Sequence, residues 1–401
     1  MTKWFQHYCN IFCRYKTYYL VFAIIMSTII LFYLDKSYTL IPSFATSQFY
    51  DTDDQYLEIY DDTVLLNKTK RLVLLWTTFF KSMYWEREIR KSLMTCSEQC
   101  EVTSDRKRQR EADAILFHHG DLNKKDLPPF RVIKQPWILF TLEPTTLIQG
   151  NMNWWGRIFN WTMSYRTYST IFNPYGYYVN NSNVKPVEYS KIAYKNRTKD
   201  MMAVISRCHD DARRYKIIHE LSKHFQVDVY GQCSRKKLKC DYHDKFYCLD
   251  PKEIKRYKFR LAFENGYCRD YVTEKYWSSL LQDIIPIVNW KEHQNNGHVV
   301  PNSYINIYDF TNLSTAIQYI KNVNNNESLY DSFFEWKRSY KAVSSMYSGF
   351  CRLCDRLHQP FHLQVYKDLE KWFKDDTCGK YNLFDGVFRH IDRYLFNNLH
   401  R

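Results

Sequence analysis

Acidic residues are in short supply: 43 Asp and Glu stand against 57 Lys and Arg in 401 residues, a formal charge of +14. That excess points to an anionic partner, whether nucleic acid, a membrane surface or a phosphorylated ligand, or else to a generally basic solvated surface. Internal repeats and low-complexity tracts are also missing, which argues against solenoid and disordered architectures. A 45% apolar and 18% aromatic content is enough for two ordinary domains, each with its own core. The D-x-D at Asp51-Thr52-Asp53 follows no buried strand and sits among solvated residues, so it does not read as a metal-nucleotide motif.

Near the N-terminus the chain runs uncharged from Tyr18 to Leu34, seventeen residues between Lys16 and Asp35, which suits one short membrane span. A cleaved signal peptide is the weaker reading, because the run exceeds the usual apolar core and no A-x-A site follows. Lys3, Arg14 and Lys16 precede the run with no acid, so positive-inside bias keeps the N-terminus cytosolic and sends the rest to the lumen, a type II topology. A span this short suits the thinner membranes of the early secretory pathway. Ten of twelve cysteines lie beyond the span, an even number suited to an oxidising lumen. Sequons at Asn67, Asn160, Asn180, Asn196, Asn312 and Asn326 fall on the same side. A lumenal body meets no RNA or DNA, so nucleic acid is excluded as partner.

The order of segments is a cytosolic tail (1–17), the span (18–34), a polar stem without helical or strand period (35–70), a first domain (71–195), a second (196–375) and a tail (376–401). Within both domains short apolar runs alternate with helical patterns, the signature of βαβ units. Strands are expected at 71–76, 114–119 and 137–143, then at 202–206, 227–231, 259–264 and 284–289. The fold class is therefore α/β, two Rossmann-like domains facing across a cleft, with a nucleotide outside the carboxyl ends of the second domain's strands. His118, His119 and His209 read as satisfied strand-end histidines rather than metal ligands.

Between Tyr257 and Val288 the chain reads YKFRLAFENGYCRDYVTEKYWSSLLQDIIPIV. A buried strand ends at Glu264-Asn265, and Tyr276, Trp277, Leu280, Leu281 and Ile284 then recur at helical spacing, so a helix starts near Thr273, a good N-cap. Such a terminus just past a parallel strand receives phosphate on its N–H groups. Lys275 falls in the first turn, where the helix dipole disfavours cations unless an anion is bound there. Glu274 in the same turn would be repelled by phosphate and is suited to accept from neutral donors such as ribose hydroxyls. An ordinary solvated first turn explains the pair equally well.

This segment resembles the signature of the α1,3-fucosyltransferases, Tyr257 to Asn265 and Tyr271 to Lys275 matching at the family's spacing. FNWTMSYRTYSTIFNPYG (159–176) is similar to a second family element, WILFTLEP (137–144) resembles the strand that delivers its catalytic carboxylate, and Cys351-Arg352-Leu353-Cys354 resembles its C-terminal Cys-x-x-Cys. The resemblance spans residues 70 to 375. It implies a GT-B type fold and an inverting transfer of L-fucose from GDP-fucose, in α1,3 linkage, to an N-acetylglucosamine-containing glycan on glycoprotein or glycolipid, in the Golgi. Glu143 would be the general base, Arg214 and Lys275 the diphosphate clamp, Glu274 the ribose acceptor, and Asn265 and Tyr271 further donor contacts. Arg213 is the competing choice beside Arg214. Two cations and a helix N-terminus can neutralise a departing GDP, so no tightly bound cofactor or protein metal site is implied, although manganese stimulates some relatives. Cys351 and Cys354 then read as disulfide cysteines, since no second Cys or His pair at zinc spacing accompanies them. Pro144 and Asn289-Trp290 depart from the family's usual residues, and a homodimer is compatible with the resemblance.

Overall fold

The computed structural model describes residues 58–60 and 69–374 together with Cys378, apart from 133, 146–147, 149–154, 156–157, 182–193, 207–211, 233, 235–248, 292–296, 361–365 and 367. No helix among the described residues is long and apolar enough to cross a membrane. The uncharged run 18–34, Asp51-Thr52-Asp53, Asn67 and His209 lie outside them.

Two strands come before and beside the first sheet: β1 (Glu58–Tyr60) pairs in parallel with β5 (Phe130–Val132). Part of the polar stem, read from sequence as patternless, is thus strand; three residues are too few to register as a period. The first sheet contains β2 (Arg71–Leu75), β3 (Cys100–Thr103), β4 (Ala114–His118), β6 (Trp137–Thr141), β7 (Trp161–Ser164) and β8 (Ile171–Phe172). Its order is β3-β2-β4-β6-β7-β8, all parallel. β4, β6 and β7 are buried at every position, as expected of parallel strands covered on both faces. Helix α1 (Trp85–Leu93) follows β2 and buries Trp85 and Ile89.

The second sheet contains β10 (Lys199–Val204), β11 (Val227–Tyr230), β12 (Tyr257–Leu261), β13 (Ile285–Val288) and β14 (Ile305–Asn306), ordered β11-β10-β12-β13-β14 and again parallel. Its helices are α2 (Arg214–Ser222), α3 (Pro251–Ile254), α4 (Glu274–Leu281), α5 (Leu313–Asn325) and α6 (Glu327–Ser332). Both sheets reverse winding direction after their first crossover, which places one switch point between β2 and β4 and another between β10 and β12.

The sheets are joined by more than a linker. β9 (Gly176–Asn180) pairs antiparallel with β15 (Tyr340–Ser344), and both lie against α4. A Cβ on Gly176 would stand 2.4 Å from the Trp277 ring of α4, so only glycine permits this approach. After β15 the chain returns to the first half: α7 (Phe350–His358) packs on α1 and β8, and Leu369 and Phe373 of α8 (Leu369–Lys374) enter the core around Leu72, Leu74 and Trp137. Disulfides Cys96–Cys351 and Cys100–Cys354 fix α7 there. The Cys-x-x-Cys residues therefore each bond to a distant cysteine, since side chains three apart on α7 face the same neighbour. A third bridge joins Cys268 to Cys378. One apolar cluster runs from Val73, Phe140 and Met163 of the first sheet through Tyr271, Tyr276 and Trp277 to Val288 of the second. Instead of facing each other across an open cleft alone, the halves share a core beneath it.

Candidate active site

At the second switch point the chain leaves β12 through Leu261 and reaches Glu264, whose side chain is fully buried. Its carboxylate accepts from the Thr273 N–H at 2.7 Å and the Thr273 hydroxyl at 2.9 Å, and lies 3.1 Å from Lys275 Nζ. Thr273 is the N-cap of α4, as its residue type suggests, and its Oγ1 also receives Lys275 Nζ at 2.8 Å. Glu274 Oε1 is 3.1 Å from the same ammonium. Burial pulls the Lys275 ammonium down, but Glu264 and Glu274 outweigh it and its pKa lies above the ordinary lysine value. Sequence reasoning placed Glu264 only at a strand end; its role in holding Lys275 depends on the fold of the 265–272 loop.

Arg214 opens α2 on the other side of the switch point. It is 3% exposed, donates through Nη1 to the Phe263 carbonyl at 3.2 Å, and its charge acts on Lys275. Arg213 is half-buried at the preceding N-cap in the left-handed region, φ 51°. Of the two, Arg214 is the one anchored to the strand end beside Glu264. Asn265 Oδ1 is buried with no hydrogen-bond partner among the described residues, an arrangement that costs stability unless a ligand satisfies it.

The first sheet contributes Glu143, two residues past β6 and half-buried, its N–H bonded to Thr141 Oγ1 at 3.2 Å. Tyr175 donates to the carbonyl of Leu142, the preceding residue, at 2.5 Å and so fixes the strand end. Tyr271 is buried edge-on against Tyr165 (5.0 Å between ring centroids) and Tyr175 (6.2 Å). Burial first, then the charges of Glu143, Glu274 and Glu264, pushes the Tyr175 hydroxyl well above its ordinary range. Tyr271 is raised by burial, by Tyr175 and by the same three carboxylates. Glu143 from one sheet and Glu264 and Glu274 from the other thus act on one pair of tyrosines. A direct bond crosses between the halves: Asp270, at φ 63°, accepts from Thr167 N–H at 3.0 Å and Thr167 Oγ1 at 2.9 Å. Tyr165, Thr167 and Tyr175 lie within the 159–176 element, the signal that could have marked them in advance.

Elsewhere on the first sheet, His118 Nδ1 meets Asp121 Oδ2 at 2.6 Å, yet His118 Nε2 and His119 Nδ1 are buried without partners among the described residues. The two histidines are therefore only partly satisfied, because Phe79, Phe80, Trp85 and Phe140 surround His118 with rings instead of acceptors. One group of possible metal ligands gathers among the described residues, Cys100, Cys354 and His358, and its two sulfurs are spent in a disulfide. Asn180, Asn196, Asn312 and Asn326 are exposed. Asn160 is not an accessible sequon: it is 4% exposed and its Oδ1 accepts from the Trp137 N–H at 2.9 Å, bracing β6.

Comparison with known proteins gives matches along most of this length. The family model described as "Fucosyltransferase, N-terminal" matches residues 68–176, and "Glycosyltransferase family 10 (fucosyltransferase) C-term" matches residues 194–372. The chain is 32% identical over 335 residues to Alpha-(1,3)-fucosyltransferase fut-5 of Caenorhabditis elegans, covering 80% of this chain and 87% of that protein. It is 32% identical over 315 residues to 3-galactosyl-N-acetylglucosaminide 4-alpha-L-fucosyltransferase FUT3 of Pan troglodytes, covering 75% and 80%. A crystal structure of an alpha1,3-fucosyltransferase with GDP-fucose aligns at a TM-score of 0.47 and 14% identity, over 81% of this chain and 96% of that one.

Proposed function

This chain belongs to glycosyltransferase family 10, the fucosyltransferases, and from that premise we propose that it transfers L-fucose from GDP-fucose, in α1,3 linkage and with inversion, to an N-acetylglucosamine-containing glycan. The observation that carries this reading is the convergence of Glu143 with Glu264 and Glu274, the two carboxylates that hold Lys275, around Tyr175 and Tyr271. A base from one sheet and a diphosphate site on the other are what an in-line displacement in a GT-B type fold requires. The acceptor hydroxyl attacks the anomeric carbon while the bond from that carbon to the diphosphate oxygen breaks. Glu143 takes the hydroxyl proton, and Arg214, Lys275 and the α4 N-terminus stabilise the departing GDP. Glu274 accepts from the ribose, and Asn265 and Tyr271 line the donor side.

Placement in the Golgi membrane as a type II protein, with the enzyme body in the lumen, is part of the same proposal and rests on the 18–34 run and the one-sided sequons. So is homodimerisation, on the resemblance alone. The test is to incubate the purified protein with GDP-fucose and a panel of defined acceptors, peripheral N-acetyllactosamine and LacdiNAc antennae and the chitobiose core of N-glycans, and to locate any new linkage by NMR. Fucose appearing at the 3-position of N-acetylglucosamine supports the proposal. Hydrolysis of GDP-fucose without transfer to any acceptor overturns it.

A further inference from the structure

Lys275 already has two carboxylate partners in the free protein, and they are held very differently. Glu264 has no exposed surface, and its two oxygens are tied to Thr273 N–H and Thr273 Oγ1, so it has no room to rotate away. Glu274 has a side chain 20% exposed, and among the described residues its one ion pair is with Lys275. A buried ammonium without a counterion tends to lose its proton, whereas a second carboxylate at 3.1 Å competes with any phosphate for the same charge.

We propose that Glu264 is a positioning residue that locks Lys275 and the α4 N-cap into one unit, and that Glu274 is the exchangeable counterion, released when a diphosphate takes its place on Lys275. This rests on the donor reading given above and adds the order of events within it. Burial, and the neighbouring Glu274 charge, push the Glu264 carboxyl above its ordinary value, while Lys275 and the Thr273 N–H pull against that rise. With Glu264 fixed, the lysine cannot follow Glu274 as it leaves. The freed Glu274 is then available to accept from a neutral hydroxyl.

The experiment is calorimetric titration of the full chain with two probes, GDP and inorganic pyrophosphate, the second of which has no ribose. Proteins are the unaltered chain, Lys275→Ala, Glu264→Gln, the double variant Lys275→Ala with Glu264→Gln, and Glu274→Gln. In the unaltered background Lys275→Ala weakens both probes by about 10- to 100-fold, and in the Glu264→Gln background by less than about threefold, because an unanchored lysine has little left to lose. Glu274→Gln tightens pyrophosphate by about threefold or more and does not tighten GDP, since only GDP forfeits the ribose contact. Equal losses from Lys275→Ala with and without Glu264, or unchanged pyrophosphate affinity in Glu274→Gln, overturn the proposal while leaving the donor reading intact. Should Glu264→Gln not fold, the Glu274→Gln arm decides alone. An unaltered chain that binds neither probe overturns the donor reading and this inference together.

Discussion

The two switch points of this molecule have the same winding and opposite contents. Between β10 and β12 the crevice is lined by charge: Arg214, Glu264, Glu274 and Lys275, with Thr273 capping a helix whose first turn carries the lysine. Between β2 and β4 it is lined by rings: Phe79, Phe80 and Trp85 around His118, with Phe80 and Lys81 in the left-handed region and their N–H groups bound to Asp121. The helix that follows, α1, has no side-chain cap bond and carries Glu86 and Glu88 in its first turn, so its own acids complement its dipole. Identical topology thus carries charged side chains in one crevice and rings in the other. On the proposed reading the uncharged sugar acceptor approaches from the ring-lined side, where apolar faces suit a pyranose, and Glu143 sits one strand further along the same edge.

The sharpest way to break this comparison is to remove Glu143, the one carboxylate the first half is proposed to contribute to the reaction. Glu143→Gln keeps the shape and loses basicity, so kcat falls by about 10² to 10⁴ while GDP affinity, a property of the other half, is unchanged. Steady-state kinetics with GDP calorimetry checks both. Near-normal kcat, or equal loss of GDP binding, makes Glu143 a structural residue.

A second difference is covalent. Two disulfides clamp the returning α7 onto the first residue of β3, Cys100, and onto Cys96 just before that strand. Replacing Cys100 and Cys354 together by Ser is expected to lower unfolding stability by about 2 to 5 kcal/mol, read as a loss in denaturant midpoint, with kcat per folded molecule retained because neither cysteine belongs to the proposed site. A midpoint equal to that of the unaltered chain means packing alone holds α7.

The charged crevice is tested by Lys275→Ala and Arg214→Ala, each weakening GDP by about 1.5 to 3 kcal/mol, the range for hydrogen bonds to charged groups. Unchanged calorimetric affinity in both variants removes the clamp assignment. Arg213→Ala makes the contrast: its side chain is not the one bonded to Phe263, and its effect should stay well below that of Arg214→Ala.

Much of the fold, and the cap of the charged crevice, is legible in the amino-acid sequence. The buried runs at 71–76, 114–119, 137–143 and 284–289 are strands within a residue or two at either end, because a parallel strand covered on both faces writes an unbroken apolar run, and the half-buried edge strand expected at 227–231 is found at Val227–Tyr230. Thr273 is read correctly as an N-cap for the same local reason. What does not show is what depends on distant partners. β7 hides inside the 159–176 element, since Trp161, Thr162, Met163 and Ser164 mix polar and apolar residues yet are all buried, Thr162 by a hydroxyl contact to Tyr366. Glu264 looks like any acid at a strand end until the 265–272 loop brings Thr273 back to it. The continuous core from Val73 to Tyr276 and the return of α7 are contacts between residues more than a hundred positions apart, and no periodicity records them.

The smallest effect expected concerns the ring-lined crevice and pH. Burial lowers His118, with Asp121 pulling the other way, and burial together with the His118 charge lowers His119 to about 3, both from an ordinary 6.5. A depressed folded-state pKa means the unfolded chain binds protons more readily, so the contribution is fully present above pH 6.5 and is lost as pH falls toward the folded value. Burial pushes Asp121 up, but bonds from His118, Thr78 and the Lys81 N–H hold it below its ordinary 3.8, so its own contribution stays intact until the medium is far more acid and cannot mask the histidines. Between pH 6.5 and 5.5 His119 should therefore cost about 1 kcal/mol of unfolding stability, and His118 adds to the loss in the same direction. His119→Gln has nothing to titrate, and denaturant midpoints measured at pH 7.5 and 5.5 should differ less for that variant than for the unaltered chain. An identical pH slope in the two proteins would mean that His119 takes up a proton in the folded state as easily as in the unfolded one, and that the ring-lined crevice is open to water after all.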